Sequence, residues 1–176
     1  PTAGGGFVTI VENAGQSKAQ GIELETTVAI TDDFTIRSAV GYLDSEITEV
    51  DAGVQGIGKG DSPALTPRWT VMVAPSYFMD LDSGATVALN ANYSYRSEMQ
   101  GQSVYSQSET IDSRELVGFN ISYTNAYGDM EVTLYGENVL NEVYDVGRLQ
   151  QSGFVGVMRS NDRSEFGLKF KKDFEL

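Results

Sequence analysis

Residues 165–176 place Phe166, Leu168, Phe170, Phe174 and Leu176 on one face and Glu165, Gly167, Lys169, Lys171 and Asp173 on the other. A period of two belongs to a pleated strand and not to a helix, whose faces repeat every 3.6 residues. The apolar row suits contact with lipid, and the opposite row suits a wet lumen. Lys172 interrupts the apolar row, and near a membrane surface its ammonium reaches water along its own stem. Taken alone, the segment also fits an amphipathic edge strand of a soluble sheet.

The same alternation recurs along the chain. Val87, Leu89, Ala91, Tyr93 and Tyr95 alternate with Thr86, Ala88, Asn90, Asn92, Ser94 and Arg96. Val117, Phe119, Ile121 and Tyr123 repeat the pattern, as do Ile22, Leu24, Val28 and Ile30, and Phe34, Ile36, Val40 and Tyr42. Further strands are predicted over 66–78, with Trp69, Val71, Val73 and Tyr77 on one side, and over 130–139, with Met130, Val132 and Leu134; a weaker one spans 7–11. The total is about eight strands and no helix.

The connections alternate in length. Residues 31–33, 80–84 and 125–129 are short and carry the Gly, Asp and Asn of tight turns, whereas 44–65, 97–114 and 145–163 are long. Strict alternation sends every long loop to one side of the sheet, as in transmembrane barrels. The expected fold is therefore all-β: a segment of an antiparallel up-and-down transmembrane β-barrel of about eight strands, occupying residues 1–176. Tyr42, Trp69, Tyr77, Phe78, Tyr95, Tyr123, Tyr127 and Tyr144 lie near strand ends, where amphipathic rings form belts at the lipid headgroups. No apolar run approaches the ~18 residues of a spanning helix.

Charge and absent residue types exclude several functions. With 25 acidic against 12 basic residues the formal net charge is −13, which argues against a nucleic-acid partner. Without His or Cys the chain has no Ser-His-Asp triad, thiolate nucleophile, disulfide or His/Cys metal site. Asp44, Glu46, Glu49, Asp51 and Asp61 share a glycine-rich loop that reads as solvated surface. Asp80, Asp82 and Gly84 begin like a calcium loop, but the later acidic ligands are missing and a turn is expected. Gly4-Gly5-Gly6 lacks the Lys and Ser or Thr of a phosphate loop. No catalytic residue, cofactor or metal site is expected, so the chain is read as non-enzymatic.

Four stretches, in order, resemble the carboxyl-terminal β-barrel segment of a TonB-dependent outer-membrane receptor. They are Asn13-Ala14-Gly15 followed by Ala19-Gln20-Gly21-Ile22-Glu23-Leu24; Pro67-Arg68-Trp69-Thr70; Tyr135-Gly136-Glu137-Asn138-Val139-Leu140-Asn141-Glu142-Val143-Tyr144; and Arg163-Ser164-Glu165-Phe166-Gly167. Val139 stands where the family commonly has Leu, Arg163 and Ser164 stand where it has Pro and Arg, and Phe174-Glu175-Leu176 replaces its usual aromatic ending. Asn138 and Asn141 are expected to bond backbone at a strand end, and Tyr144 to anchor at the outer interface.

The resemblance implies a roughly 22-stranded barrel with a plug in its lumen. The present residues would be its last third, a processed or excised piece that begins at Pro1 without the plug. The implied function is energy-dependent import, across the outer membrane of a Gram-negative cell, of a bulky nutrient such as a siderophore-iron complex, cobalamin or an oligosaccharide. Implied partners are outer-membrane lipid, the rest of the receptor with its plug, the inner-membrane energy-coupling complex through regions not present here, and the small-molecule ligand. Arg96, Gln100, Gln102, Tyr105, Arg148, Gln150 and Gln151 are the candidate ligand contacts, because they lie in or beside the long loops and can hydrogen-bond or stack. Arg37, Arg68 and Arg96 are expected to face the lumen.

The alternative is a complete eight-stranded barrel with a structural or adhesive role. Its narrow interior needs bulky interlocking side chains, whereas the inward rows hold Ala88, Ser94, Gly118, Ser122 and Gly167. A soluble sugar-binding sandwich would need a second sheet to cover the apolar rows.

Overall fold

The computed structural model describes residues 15–54, 56–101, 109–151, 154–160 and 162–174. Seven strands form one antiparallel sheet: β1 (Gly15–Ala29), β2 (Phe34–Val50), β3 (Trp69–Asp80), β4 (Thr86–Arg96), β7 (Arg114–Thr124), β8 (Met130–Glu137) and β11 (Glu165–Lys172). They pair in chain order, with β1 and β11 as open edges. Two hairpins lie outside this wall: β5 (Met99–Gln100) with β6 (Thr110–Ile111), and β9 (Asp145–Gln151) with β10 (Phe154–Arg159). The strand expected over 7–11 lies outside the described residues.

Register turns the alternation into two continuous faces. Leu24 pairs with Val40, Val40 with Val71, Val71 with Tyr95, Leu89 with Ile121, Ile121 with Leu134, and Leu134 with Leu168. The outward face is therefore apolar from edge to edge, and it is uncovered: Ile22, Leu24, Phe166, Leu168 and Phe170 are each at least 59% exposed. Ala85 and Ile111 are the only buried hydrophobic residues among those described, so no second layer of described residues packs behind this sheet. An uncovered apolar face of this extent fits a lipid-facing wall.

Aromatic pairs mark the edges of the apolar band. Tyr42 and Trp69 pack with ring centroids 4.7 Å apart at the loop end, and Phe34 meets Tyr77 edge-on at 6.3 Å at the turn end. The eight residue steps from Phe34 to Tyr42 span about 26 Å of strand. At a tilt of ~40° that is about 20 Å of height, and the rings extend it towards the ~25 Å apolar band of such barrels. Phe78 departs from the expected belt, because alternation puts it on the inward face with Ser76 and Asp80. Within the band, the hydroxyls of Thr26 and Ser38 share a 2.7 Å hydrogen bond and so satisfy each other on an otherwise apolar face.

The short connections form tight turns at one end of the sheet, as expected. Gly84 and Gly128 take φ of 81° and 73°, and Thr31 Oγ1 accepts from the amides of Asp33 and Phe34. Lys172 ion-pairs with Asp129 in the last turn. The inward face is polar and internally bonded. Ser76 donates to Asn90 (2.5 Å), Asn90 to Asn120 (2.9 Å), and Ser122 shares a 2.8 Å bond with Thr133.

The long connections are more ordered than the sequence pattern implied. β1 and β2 continue together to Gly15 and Val50, beyond the Tyr42–Trp69 pair, so residues 44–50 of the 44–65 connection are strand. β5/β6 and β9/β10 occupy the other two long connections.

Candidate functional site

The loop end of the wall is built from side chains that tie the connections to the strands. Asn138 and Asn141 take left-handed φ of 44° and 53°, which Asn tolerates better than other residues with a side chain. Asn138 Nδ2 donates to the carbonyls of Glu142 (2.9 Å) and Asp162 (2.8 Å), while its Oδ1 accepts from the Glu142 amide (2.9 Å). Asn141 Oδ1 accepts from the Ser164 amide at 3.2 Å. The motif thus pins the end of β8 to the start of β11, as its residue types implied. Tyr144 does not anchor at the lipid interface. Its ring lies under the Arg114 guanidinium, 4.6 Å from carbon Cζ to centroid, and its hydroxyl donates to Asp162 at 3.1 Å.

The second tie is ionic. Asp145, its side chain 5% exposed, accepts from Arg148 (3.0 and 2.7 Å) on Oδ2 and from Arg159 (3.0 Å) on Oδ1. Burial opposes ionisation of this carboxyl, but the hydrogen bonds and charges of the two arginines outweigh it and hold its pKa below the ordinary carboxylate value. Arg148 also reaches Asp112 at 3.9 Å, linking the β9/β10 hairpin to the residues after β6. The hydroxyls of Ser160 and Tyr144 similarly lower the pKa of Asp162.

The Arg148–Asp112 tie borders an open cleft of about 610 Å³, whose polar lining includes Ser62, Thr66, Arg68, Ser97, Glu98, Gln100, Thr110, Asp112 and Arg148. The backbone holds its walls together: the Leu65 amide donates to the Gln100 carbonyl (2.8 Å), and the Trp69 amide to Ser97 Oγ (3.0 Å). Leu65 has φ of 59°, a strained value for a bulky residue. Gln100 is 8% exposed; its Nε2 donates to Thr110 at 3.2 Å, but its Oε1 is buried with no donor among the described residues. A buried acceptor left without a donor costs about 1–3 kcal/mol.

Of the predicted contacts, the structure brings Gln100 and Arg148 to this cleft. Arg96 reaches its edge through a 3.0 Å bond from Nη2 to the Asp112 carbonyl. Gln150 and Gln151 lie on the β9 backbone opposite Val155 and Phe154, and their side chains lie outside the description. Gln102 and Tyr105 fall outside the described residues. Arg68, read from sequence only as lumen-facing, lines the cleft. Asp112, Arg114 and Asp145 were not anticipated, because their roles depend on pairings between connections remote in sequence.

An up-and-down antiparallel wall with an apolar outer face, a polar inner face and ordered connections gathered at one end defines a segment of a transmembrane barrel. The family model described as TonB dependent receptor-like, beta-barrel, matches residues 1–141, and the chain belongs to that family. No curated protein sequence matches. Among solved structures, the ferric yersiniabactin uptake receptor FyuA from Yersinia pestis superposes with a TM-score of 0.79 at 14% identity, over 93% of this chain and 24% of that one. The siderophore receptor PiuA (0.70, 21% identity, 90% and 22%) and the ferric preacinetobactin receptor BauA (0.69, 19%, 92% and 23%), both from Acinetobacter baumannii, have the same fold. The chain spans less than a quarter of the length of each of these three receptors.

Proposed function

We propose that the chain is the carboxyl-terminal part of an outer-membrane receptor that imports a bulky nutrient, such as a siderophore-iron complex, cobalamin or an oligosaccharide. The rest of the barrel and the plug come from the remainder of the receptor, and coupling to the inner-membrane complex runs through those parts. The observation that carries this reading is the cleft at the loop end of the inward wall, lined by Arg68, Gln100 and Arg148. Family membership and the siderophore receptors of like fold support the iron chelate as the first ligand to test. The apolar outward face supports placement in a bilayer.

Two measurements test the reading. An immunoblot of outer membranes should show a polypeptide several times larger than 19.1 kDa. A band near that mass would favour a small complete barrel and remove the transport reading. Titration of the purified receptor with ferric chelates, cobalamin and oligosaccharides should then give saturable binding of one class. Arg68→Gln and Gln100→Ala should each weaken that binding about tenfold, since each removes a hydrogen bond or charge contact. Unchanged affinity in both variants would place the site elsewhere.

A further inference from the structure

The outward face of the wall is not evenly filled. Along β4 its side chains are Val87, Leu89, Ala91, Tyr93 and Tyr95, so Ala91 is the one small residue between large neighbours. The β3–β4 ladder pairs Val73 with Tyr93 and next Ser76 with Asn90, which leaves Pro75 facing Ala91 without a pairing. Proline has no N–H to give to the ladder, and its ring is short. Two short side chains side by side make a groove of about 330 Å³, with Pro75 and Ala91 at its base. The cross-strand partners Tyr77 and Leu89 rise on its turn side, flanked by Phe34 and Ile121, and Phe119, the β7 partner of Ala91, closes the far side.

The groove is continuous with the apolar band, and Phe34 and Tyr77 mark the turn edge of that band. Beyond them stand the exposed Asp32 and Asp33 in one turn and Asp80 and Asp82 at the next. None of the four is ion-paired among the described residues. The lysines at this end are engaged elsewhere, Lys171 with Asp173 and Lys172 with Asp129, and Arg37 is on the inward face. An anionic head group over the groove therefore meets only carboxylates of this chain, whereas an ammonium is attracted by them.

We propose that the groove seats one phospholipid of the leaflet on the short-turn side. An acyl chain lies along Pro75 and Ala91, and a primary ammonium in the head group lies against Asp32, Asp33 and Asp82. Inside a bilayer a chain gains nothing from leaving water, so the preference comes from packing: a chain in a groove touches wall atoms on several sides, one on a flat face on a single side. The acidic turns add the choice of head group. This seat is on the opposite face of the wall from the Gln100 cleft and does not depend on which nutrient is imported.

The test uses the full protein, extracted from outer membranes, stripped of lipid in detergent and titrated with dioleoyl phosphatidylethanolamine or dioleoyl phosphatidylglycerol. Native mass spectrometry counts the retained lipid. One ethanolamine lipid should be held about three- to tenfold more tightly than the glycerol lipid. Ala91→Leu, which fills the groove with an apolar side chain, should weaken retention of both about tenfold. Val132→Leu, on the same face outside the groove, should leave it unchanged. Asp32→Asn combined with Asp33→Asn, in an exposed turn, should bring the two lipids within about twofold of each other while the chain stays bound. Circular dichroism of each variant verifies the folded wall. Equal retention of the two lipids by the unaltered protein, or full retention in folded Ala91→Leu, overturns the site.

Discussion

Gly167 on β11 supports a quantitative prediction about how the last strand is held. A Cβ added there would meet Cε1, Cζ and Oη of Tyr135 at 2.5 Å, because the Tyr135 ring lies flat across the glycine. The backbone at Gly167 is ordinary strand, so Gly167→Ala carries no φ penalty and its cost is steric. The ring must swing away, and two contacts depend on its position: a 2.8 Å bond from its hydroxyl to Glu165, and Lys169 Nζ 4.6 Å above its centroid. The exposed hydrogen bond contributes about 1 kcal/mol and the cation–π contact about 0.5–1. Ring packing adds a similar amount, and the reduced chain entropy of Ala returns about 0.5–1 kcal/mol. The expected net loss is about 1–2 kcal/mol. In a Tyr135→Ala background the obstruction is absent, and the same substitution should be neutral or stabilising by up to about 1 kcal/mol. Urea unfolding of the protein in phospholipid vesicles, followed by Trp69 fluorescence, measures all four corners of the cycle. Equal effects of Gly167→Ala in the two backgrounds would refute the interlock.

Further outcomes follow from other parts of the wall. Leu89→Arg or Ile121→Arg, which alter paired outward residues, should block membrane insertion because a midplane arginine costs roughly 2–4 kcal/mol; Asn120→Ala, on the inward row, should insert, as membrane floatation will show. Asn138→Gly keeps the left-handed backbone but loses the amide bonds, whereas Asn138→Ala loses both, so Ala should be the more destabilising by about 1 kcal/mol in the same unfolding assay. The depressed Asp145 pKa stabilises the β9/β10 hairpin above the ordinary carboxylate value of ~3.9, and that contribution is lost only as pH falls through the lower folded value. Hydrogen exchange of this hairpin should therefore be slow and even from pH 7 to about 4, after correction for intrinsic rates, and rise below that; Asp145→Asn should raise it throughout.

The wall was legible in the sequence because lipid and lumen impose opposite chemistries on successive residues, so Thr86–Arg96 and Arg114–Thr124 show their period openly. Above the aromatic belt that pressure ends. Lys18, Gln20, Asp44 and Glu46 make the outward row polar there, while the other row carries Ser45 against Thr66, so the extension of β1 and β2 left no apolar–polar alternation to read. The two-residue strands β5 and β6 are too short to show a period at all. Gln100 and Arg148 were accessible as loop residues able to bond a ligand. The facing of Pro75 and Ala91, the grip of Asp145 on two arginines and the seat of Tyr135 on Gly167 each depend on register between strands, which a single sequence does not state.

The extension of β2 changes how the loop end of the wall is approached. From Tyr42 to Val50 the paired ribbon stands about 26 Å along its own direction past the aromatic belt. It is a mast more than a flap, since each rung is tied to its neighbour by ladder bonds. Its crown carries Glu46, Glu49 and Asp51, so the far end of the ribbon is an acidic pole. Like charges repel through space, so the tip of the ribbon disfavours an anion while the arginines at its foot do not.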